Sequence, residues 1–166
     1  MKARQHALIG GVAASALIPV LGINSLIFLT ASVLIDGDHY TEYIYRNRFT
    51  DFNIKKMFRF TAMLDTESIN YCYLPFSFLH TIEALILLFI GGQVTNIPWI
   101  QAIFWGMLFH IICDLAHIRY HGGNLFRRSL SIFEYIIKWN IIKRRGNQPE
   151  KIYGIVLAKL EVNPRS

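Results

Sequence analysis

Residues 110–121 read HIICDLAHIRYH and place His110, Asp114, His117 and His121 at steps of four, three and four. At about 100° per helical residue these side chains fall within roughly 60° of one another. The opposite face is apolar, carrying Ile111, Ile112, Leu115 and Ile118. Imidazole and carboxylate groups gathered on one face are a donor set for zinc, and equally for manganese or iron. A buried, hydrogen-bonded His110–Asp114 pair would use the same spacing, so the other elements decide between the two.

Further groups of the same kind stand at the ends of other apolar segments. His6 opens the first. Asp36, Asp38 and His39, in LIDGDHY, close the second. His80 and Glu83, in FLHTIEAL, begin the third. His80 and Glu83 are i, i+3 neighbours and His110 and Asp114 i, i+4 neighbours, so each pair is expected to face one centre. Gly37, at a helix end, frees the backbone for its acidic neighbours. Isolated, Asp36 and Asp38 would simply end a helix in water; an acid such as Glu83 inside an apolar helix needs a partner. The expected metal ligands are His6, Asp36, Asp38, His39, His80, Glu83, His110, Asp114 and His117. These exceed what one tetrahedral ion needs, so a two-metal site with outer hydrogen-bonding partners is also expected.

The elements that must position these groups read as membrane helices. Of 166 residues 53% are hydrophobic and only 17% charged, against about 25% for an ordinary soluble domain, and the mean hydropathy is +0.33. No charge occurs from Ala7 to Ile35, a length that as one helix would reach roughly 43 Å, beyond the hydrocarbon core of about 30 Å. Pro19, Gly22 and Asn24 interrupt it, which predicts two short helices over 6–18 and 23–35 folded as a hairpin, partly re-entrant. Apolar segments at 75–92 and 97–119 follow, with Pro98 suited to a first helical turn. Residues 53–64 and 126–143 are expected to be amphipathic helices on the cytoplasmic side, the latter in the headgroup layer or on the helical core. The fold class is thus all-α, a small integral-membrane bundle of about four apolar helices over 1–146, followed by a C-terminal tail at 147–166. MKARQ also resembles the start of a signal peptide, but no cleavage site follows it.

The net charge is +6, and the basic residues cluster. Lys2 and Arg4 precede the first helix; Arg46, Arg48, Lys55, Lys56 and Arg59 follow the second; Arg119, Arg127, Arg128, Lys138, Lys143, Arg144 and Arg145 follow the fourth. The positive-inside rule then places the N-terminus, the 36–75 region and the C-terminus on the cytoplasmic side, with all His and carboxylate sets at that end. Cys72 and Cys113 are expected as buried thiols, not a disulfide framework.

With these residues assembled, the chain resembles the LexA-regulated, membrane-bound metal-dependent hydrolases. RQHALIGG, LIDGDH, FLHTIE and GMLFHIICD carry the likeness, over roughly residues 4–120. It departs from the family pattern at Ile35, where a proline is expected, and at Glu83, where a small residue is. The resemblance implies that His6, Asp36, Asp38, His39, His80, His110 and Asp114 occupy motif positions. It implies a multi-pass inner-membrane hydrolase using one or two divalent ions, zinc first, to activate water, with Glu83 and Asp38 as candidate catalytic groups. The basic flanks suit a phosphoester, and a site at headgroup depth suits a phospholipid or lipid-linked phosphoester; contact with anionic lipid accounts for the same residues. The alternative is a metal-binding or metal-transporting membrane protein without catalysis. No G-x-S-x-G, P-loop or nucleophilic Cys/His pairing occurs, and no recognition-helix pattern points to nucleic acid.

Overall fold

The computed structural model describes residues 3–67, 74–121 and 128–162; Lys2, Cys72 and Arg127 lie outside them. All regular structure among these residues is helical: α1 Ala3–Leu21, α2 Asn24–Leu34, α3 Gly37–Arg46, α4 Ile54–Glu67, α5 Ile82–Thr95, α6 Pro98–Tyr120, α7 Ile132–Arg144 and α8 Lys151–Val162, with a 3-10 turn Phe78–His80 before α5. The chain forms two compact units, residues 1–36 with 77–132, and residues 37–76 with 133–166.

In the first unit α1 and α2 form the expected hairpin, but α1 runs on through Pro19 to Leu21. Pro19 stands in the last turn, where only the Ser15 carbonyl loses its helical donor. The break falls instead at Gly22, whose φ of +54° is the left-handed conformation that glycine adopts without strain. α5 ends on Asn96, also left-handed, and Pro98 opens α6 as its sequence predicts.

α2 and α6 run parallel and close together. A Cβ on Gly106 would lie 2.4 Å from the Phe28 carbonyl oxygen, and one on Gly10 of α1 would lie 2.7 Å from Ser32 Oγ of α2. Glycine at these two crossings lets three backbones approach as small residues do in membrane bundles. Gly106 precedes His110 by four residues and Gly10 follows His6 by four, so each glycine shares a helical stripe with a histidine.

This unit inverts the usual distribution of polarity. Its buried residues include His6, Ser25, Ser32, His80, Thr81, His110 and Asp114, beside the aliphatic cluster of Ile35, Leu85, Met107 and Ile111. Its outward side chains include Leu8, Val12, Val20, Leu26, Leu34, Leu87, Val94 and Trp105. Arg4–Leu21 and Pro98–Tyr120 are long and apolar enough to cross a membrane, and only 17% and 33% of their residues are buried within the protein. α2 and α5, at 11 and 14 residues, reach only about 16 and 21 Å, short of a span. Of the four apolar helices expected, two are thus long and apolar enough to be candidate spans.

The second unit is the part the sequence leaves least legible. α4 matches the amphipathic segment expected at 53–64, and α7 covers the later part of 126–143. α3 arises where only a loop is expected, and α8 where only a tail is. Ile152, Tyr153, Val156 and Leu160 of α8 meet Tyr43, Met57, Phe60 and Leu64 of α3 and α4 in one buried cluster. Arg46 stacks on the Tyr153 ring at 3.6 Å, and the Tyr153 hydroxyl donates to Glu42 at 2.7 Å. Burial of that stripe packs α8, within the expected C-terminal tail, onto α3 and α4. Cys113, on α6, is half-buried and unpaired.

Candidate metal centre

Four elements of the first unit bring their ligand-type residues to one end. His6 stands in the second turn of α1, Asp36 in the turn that ends α2, His80 at the close of the 3-10 turn, and His110 and Asp114 on successive turns of α6. His6, His80, His110 and Asp114 are buried, and the Asp36 side chain is 26% exposed.

The geometry is built around His110. Its Nδ1 lies 2.7 Å from the carbonyl oxygen of Ser32. A carbonyl can only accept, so Nδ1 carries the proton and, in the neutral ring, Nε2 presents a lone pair. That Nε2 lies 3.3 Å from His80 Nε2, 3.4 Å from Asp36 Oδ1 and 3.6 Å from Asp114 Oδ2. His80 Nε2 and Asp36 Oδ1 are 3.7 Å apart. The His6 ring stacks on that of His110 with centroids 3.8 Å apart, and its Nε2 lies 3.0 Å from Asp114 Oδ1. Despite that distance, His6 Nε2 makes no aligned hydrogen bond.

These spacings fit a cation. A tetrahedral ion with bonds of about 2.05 Å has ligand–ligand edges of about 3.3 Å, and the His80, His110 and Asp36 donors are separated by 3.3, 3.4 and 3.7 Å. His6, Asp36 and His110 form one candidate ligand group, and His80, His110 and Asp114 a second that shares His110. The Ser32 carbonyl stands where the second nitrogen of a ligating imidazole would need its hydrogen-bond partner.

Asp114 is further held by Arg128, whose Nη1 donates to Oδ2 at 2.6 Å. Arg128 reaches this place on a segment clasped to the start of α5. Ile82 N–H donates to the Leu130 carbonyl at 2.7 Å, and Glu83 Oε1 accepts from the Ser131 hydroxyl at 2.6 Å and from Ile132 N–H at 3.0 Å.

The expected site residues therefore divide. His6, Asp36, His80, His110 and Asp114 come together. Glu83 turns away, because the helix does not run through from His80. Thr81 is extended (φ −88°, ψ 150°), and its Oγ1 accepts from Ala84 N–H as the cap of α5. This break removes the i, i+3 relation expected of His80 and Glu83 and gives the carboxylate to Ser131 and α7. His117 lies about 4.5 Å beyond Asp114 along α6; it is half-buried, packs its ring on exposed His121, and enters neither ligand group. Asp38 and His39 belong to α3 in the other unit and are in neither group. Gly37 opens a new helix there, so the DGDH stretch is divided between the two units. Gly10, Gly106, Ser32 and Arg128 are the contributors that motif reading misses. The two glycines leave a signal, a small residue one turn from a histidine; Arg128 is one of a run of basic residues that topology alone explains.

Comparison with protein-family models, with curated proteins and with solved structures gives no match for this chain.

Proposed function

We propose that the protein is a membrane-bound, metal-dependent hydrolase whose ion is held by His6, Asp36, His80, His110 and Asp114. The observation that carries this is the meeting of His6, Asp36 and His110, and of His80, His110 and Asp114, as two donor groups that share His110. A divalent cation there would polarise a phosphoryl oxygen and make water a nucleophile near neutral pH. The chain's own groups do the rest. Ser32 fixes the His110 tautomer, Arg128 orients Asp114, and Asp36, the most exposed of the five, stands where substrate enters. The Arg128 guanidinium, with donors suited to phosphate, favours a phosphoester.

The membrane assignment rests on the apolar outer surface of the first unit around a polar interior. Basic residues on α3, α4 and α7 agree with a cytoplasmic placement of those helices and of the site. A second reading, a metal-binding protein without catalysis, draws on the depth of His80 and His110, each 1% exposed. The motif likeness to the membrane-bound metal-dependent hydrolases favours the first.

Elemental mass spectrometry on detergent-purified protein tests the ion. Wild type is expected to carry one or two equivalents of zinc, manganese or iron. His110→Ala and Asp114→Asn, shown folded by circular dichroism, are expected to lose them. A folded wild type that holds no metal after reloading would refute the proposal. Turnover of phosphoesters by the loaded protein, absent in both variants, separates the hydrolase from a binding protein.

A further inference from the structure

The first unit carries a groove of about 380 Å³ on its outward side, along α2 and against α6. Leu26, Thr30, Leu34 and Ile35 line it from α2, Met107 from α6 and Leu79 from the 3-10 turn. Thr30 is the only residue with a polar side chain among those lining it, and its hydroxyl already donates to the Leu26 carbonyl at 2.8 Å. The groove's side chains therefore offer a polar ligand no free donor, and only the Thr30 oxygen as an acceptor.

One end of it is lined by chain neighbours of the candidate metal centre. Ile35 and Leu79 directly precede Asp36 and His80, and Met107 is three residues before His110 on α6. From Leu26 to Ile35 the groove follows nine helical steps, about 13.5 Å. That is close to the depth of one leaflet, half of a core of about 30 Å. A tail lying there would bring its headgroup to the level of the His and Asp cluster.

Resting on the hydrolase reading, we propose that this groove seats an acyl chain of the substrate, a membrane phospholipid whose phosphate lies at the metal centre. The hydrocarbon supplies apolar area to an otherwise wet or lipid-filled cleft, and the cluster supplies the polar contacts at one end only. Chain length and shape are then read along α2, at Leu26, Thr30 and Leu34.

The test uses the full chain in phosphatidylcholine nanodiscs with a trace of phosphatidic acid bearing a diazirine midway along one acyl chain. Photolabel is expected to concentrate on residues 26–34 of α2 and near Ile103, and to fall when unlabelled phosphatidic acid is added in excess. Thr30→Trp and Ile103→Trp, which fill the groove from opposite walls, are expected to lower labelling about tenfold, since even one methylene in an apolar pocket can discriminate by that factor. Both variants should keep the metal content of wild type. Even labelling that reaches outward Val12 of α1 and Leu87 of α5, unchanged by competitor, would overturn the proposal and leave only bulk lipid around the helices. The wild-type map and its competition decide this even where a variant misfolds. Saturable labelling in a protein that binds no metal would sink the hydrolase reading alone; bound metal with even labelling would sink this one alone.

Discussion

Replacing Gly106 by alanine adds a single methyl group, yet it is expected to weaken the metal centre one turn away. The new Cβ would lie 2.4 Å from the Phe28 carbonyl oxygen and 3.0 Å from Ala31 Cβ, where ordinary contact begins at 3.4 Å. Neither neighbour is the flexible end of a long side chain, so relief requires α2 and α6 to separate by about 1 Å. Ser32 lies one turn beyond Phe28, and His110 one turn beyond Gly106. The same displacement stretches the His110 Nδ1 to Ser32 contact from 2.7 Å to about 3.7 Å, past the range of a hydrogen bond. His110 then loses the partner that fixes its tautomer and ring orientation.

Two effects on stability oppose each other. Overpacking costs about 1–3 kcal/mol, while alanine gains up to about 1 kcal/mol over glycine in a helix. The net loss of about 0–2 kcal/mol makes thermal unfolding a weak discriminator. Metal affinity is the better readout, because removing an orienting partner costs about 10–100-fold. Gly11→Ala provides the control: a Cβ there meets nothing within 4 Å, so the variant is expected to be as stable as wild type or more so, with unchanged affinity. Competition against a graded zinc chelator, read by elemental mass spectrometry, measures both. Equal affinity in Gly106→Ala and Gly11→Ala would refute the claim that close helix packing positions His110.

Glu83→Ala is expected to keep its metal while His80→Ala loses it, since Glu83 serves Ser131 and Ile132 and not the cluster. Hydrogen exchange over 128–132 should rise in the Glu83 variant, and metal loss equal to that of His80→Ala would restore Glu83 as a ligand. In the second unit, the Lys56 ammonium donates to Asp51 at 2.5 Å, and with the Asn53 amide it holds the Asp51 carboxyl below its ordinary pKa. A depressed carboxylate stabilises the fold above its unfolded pKa of about 3.9, and that contribution disappears as pH falls through the folded value. Lys56→Ala should therefore melt below wild type at neutral pH, with the gap closing as pH falls through the depressed folded value; a gap that persists in strong acid would show the lysine acting through packing.

Legibility in the sequence followed the period of each element. The apolar runs of α1, α2 and α6 announce themselves, as does the i, i+4 pair His110–Asp114, because a helix converts spacing directly into a shared face. Glu83 is misread where that conversion fails: one extended residue, Thr81, resets the phase between it and His80. His117 has the right phase and the wrong height, since angular agreement on a helix says nothing about how far along the axis the partner elements reach. α3 and α8 are hidden for a different reason. Their apolar stripes, Tyr40, Tyr43 and Ile44 in one and Ile152, Tyr153, Val156 and Leu160 in the other, are short and rich in tyrosine or interrupted by Gly154. Such helices are held by tertiary burial and give only a weak local signal.

The charges of the cluster bear on what it would hold. Asp36 and Asp114 bring carboxylates and Arg128 a guanidinium to the cluster. Burying carboxylates without opposite charge is costly, and a divalent cation would supply that charge and, with Arg128, attract an anion. By pairing with Asp114 Oδ2, Arg128 holds that carboxylate with Oδ1 3.0 Å from His6 Nε2. Arg128→Gln is therefore expected to weaken metal binding about 10–100-fold, as loss of an orienting partner does, and to weaken attraction for phosphate with it. Unchanged metal affinity in this variant would show that Asp114 is held in place without Arg128.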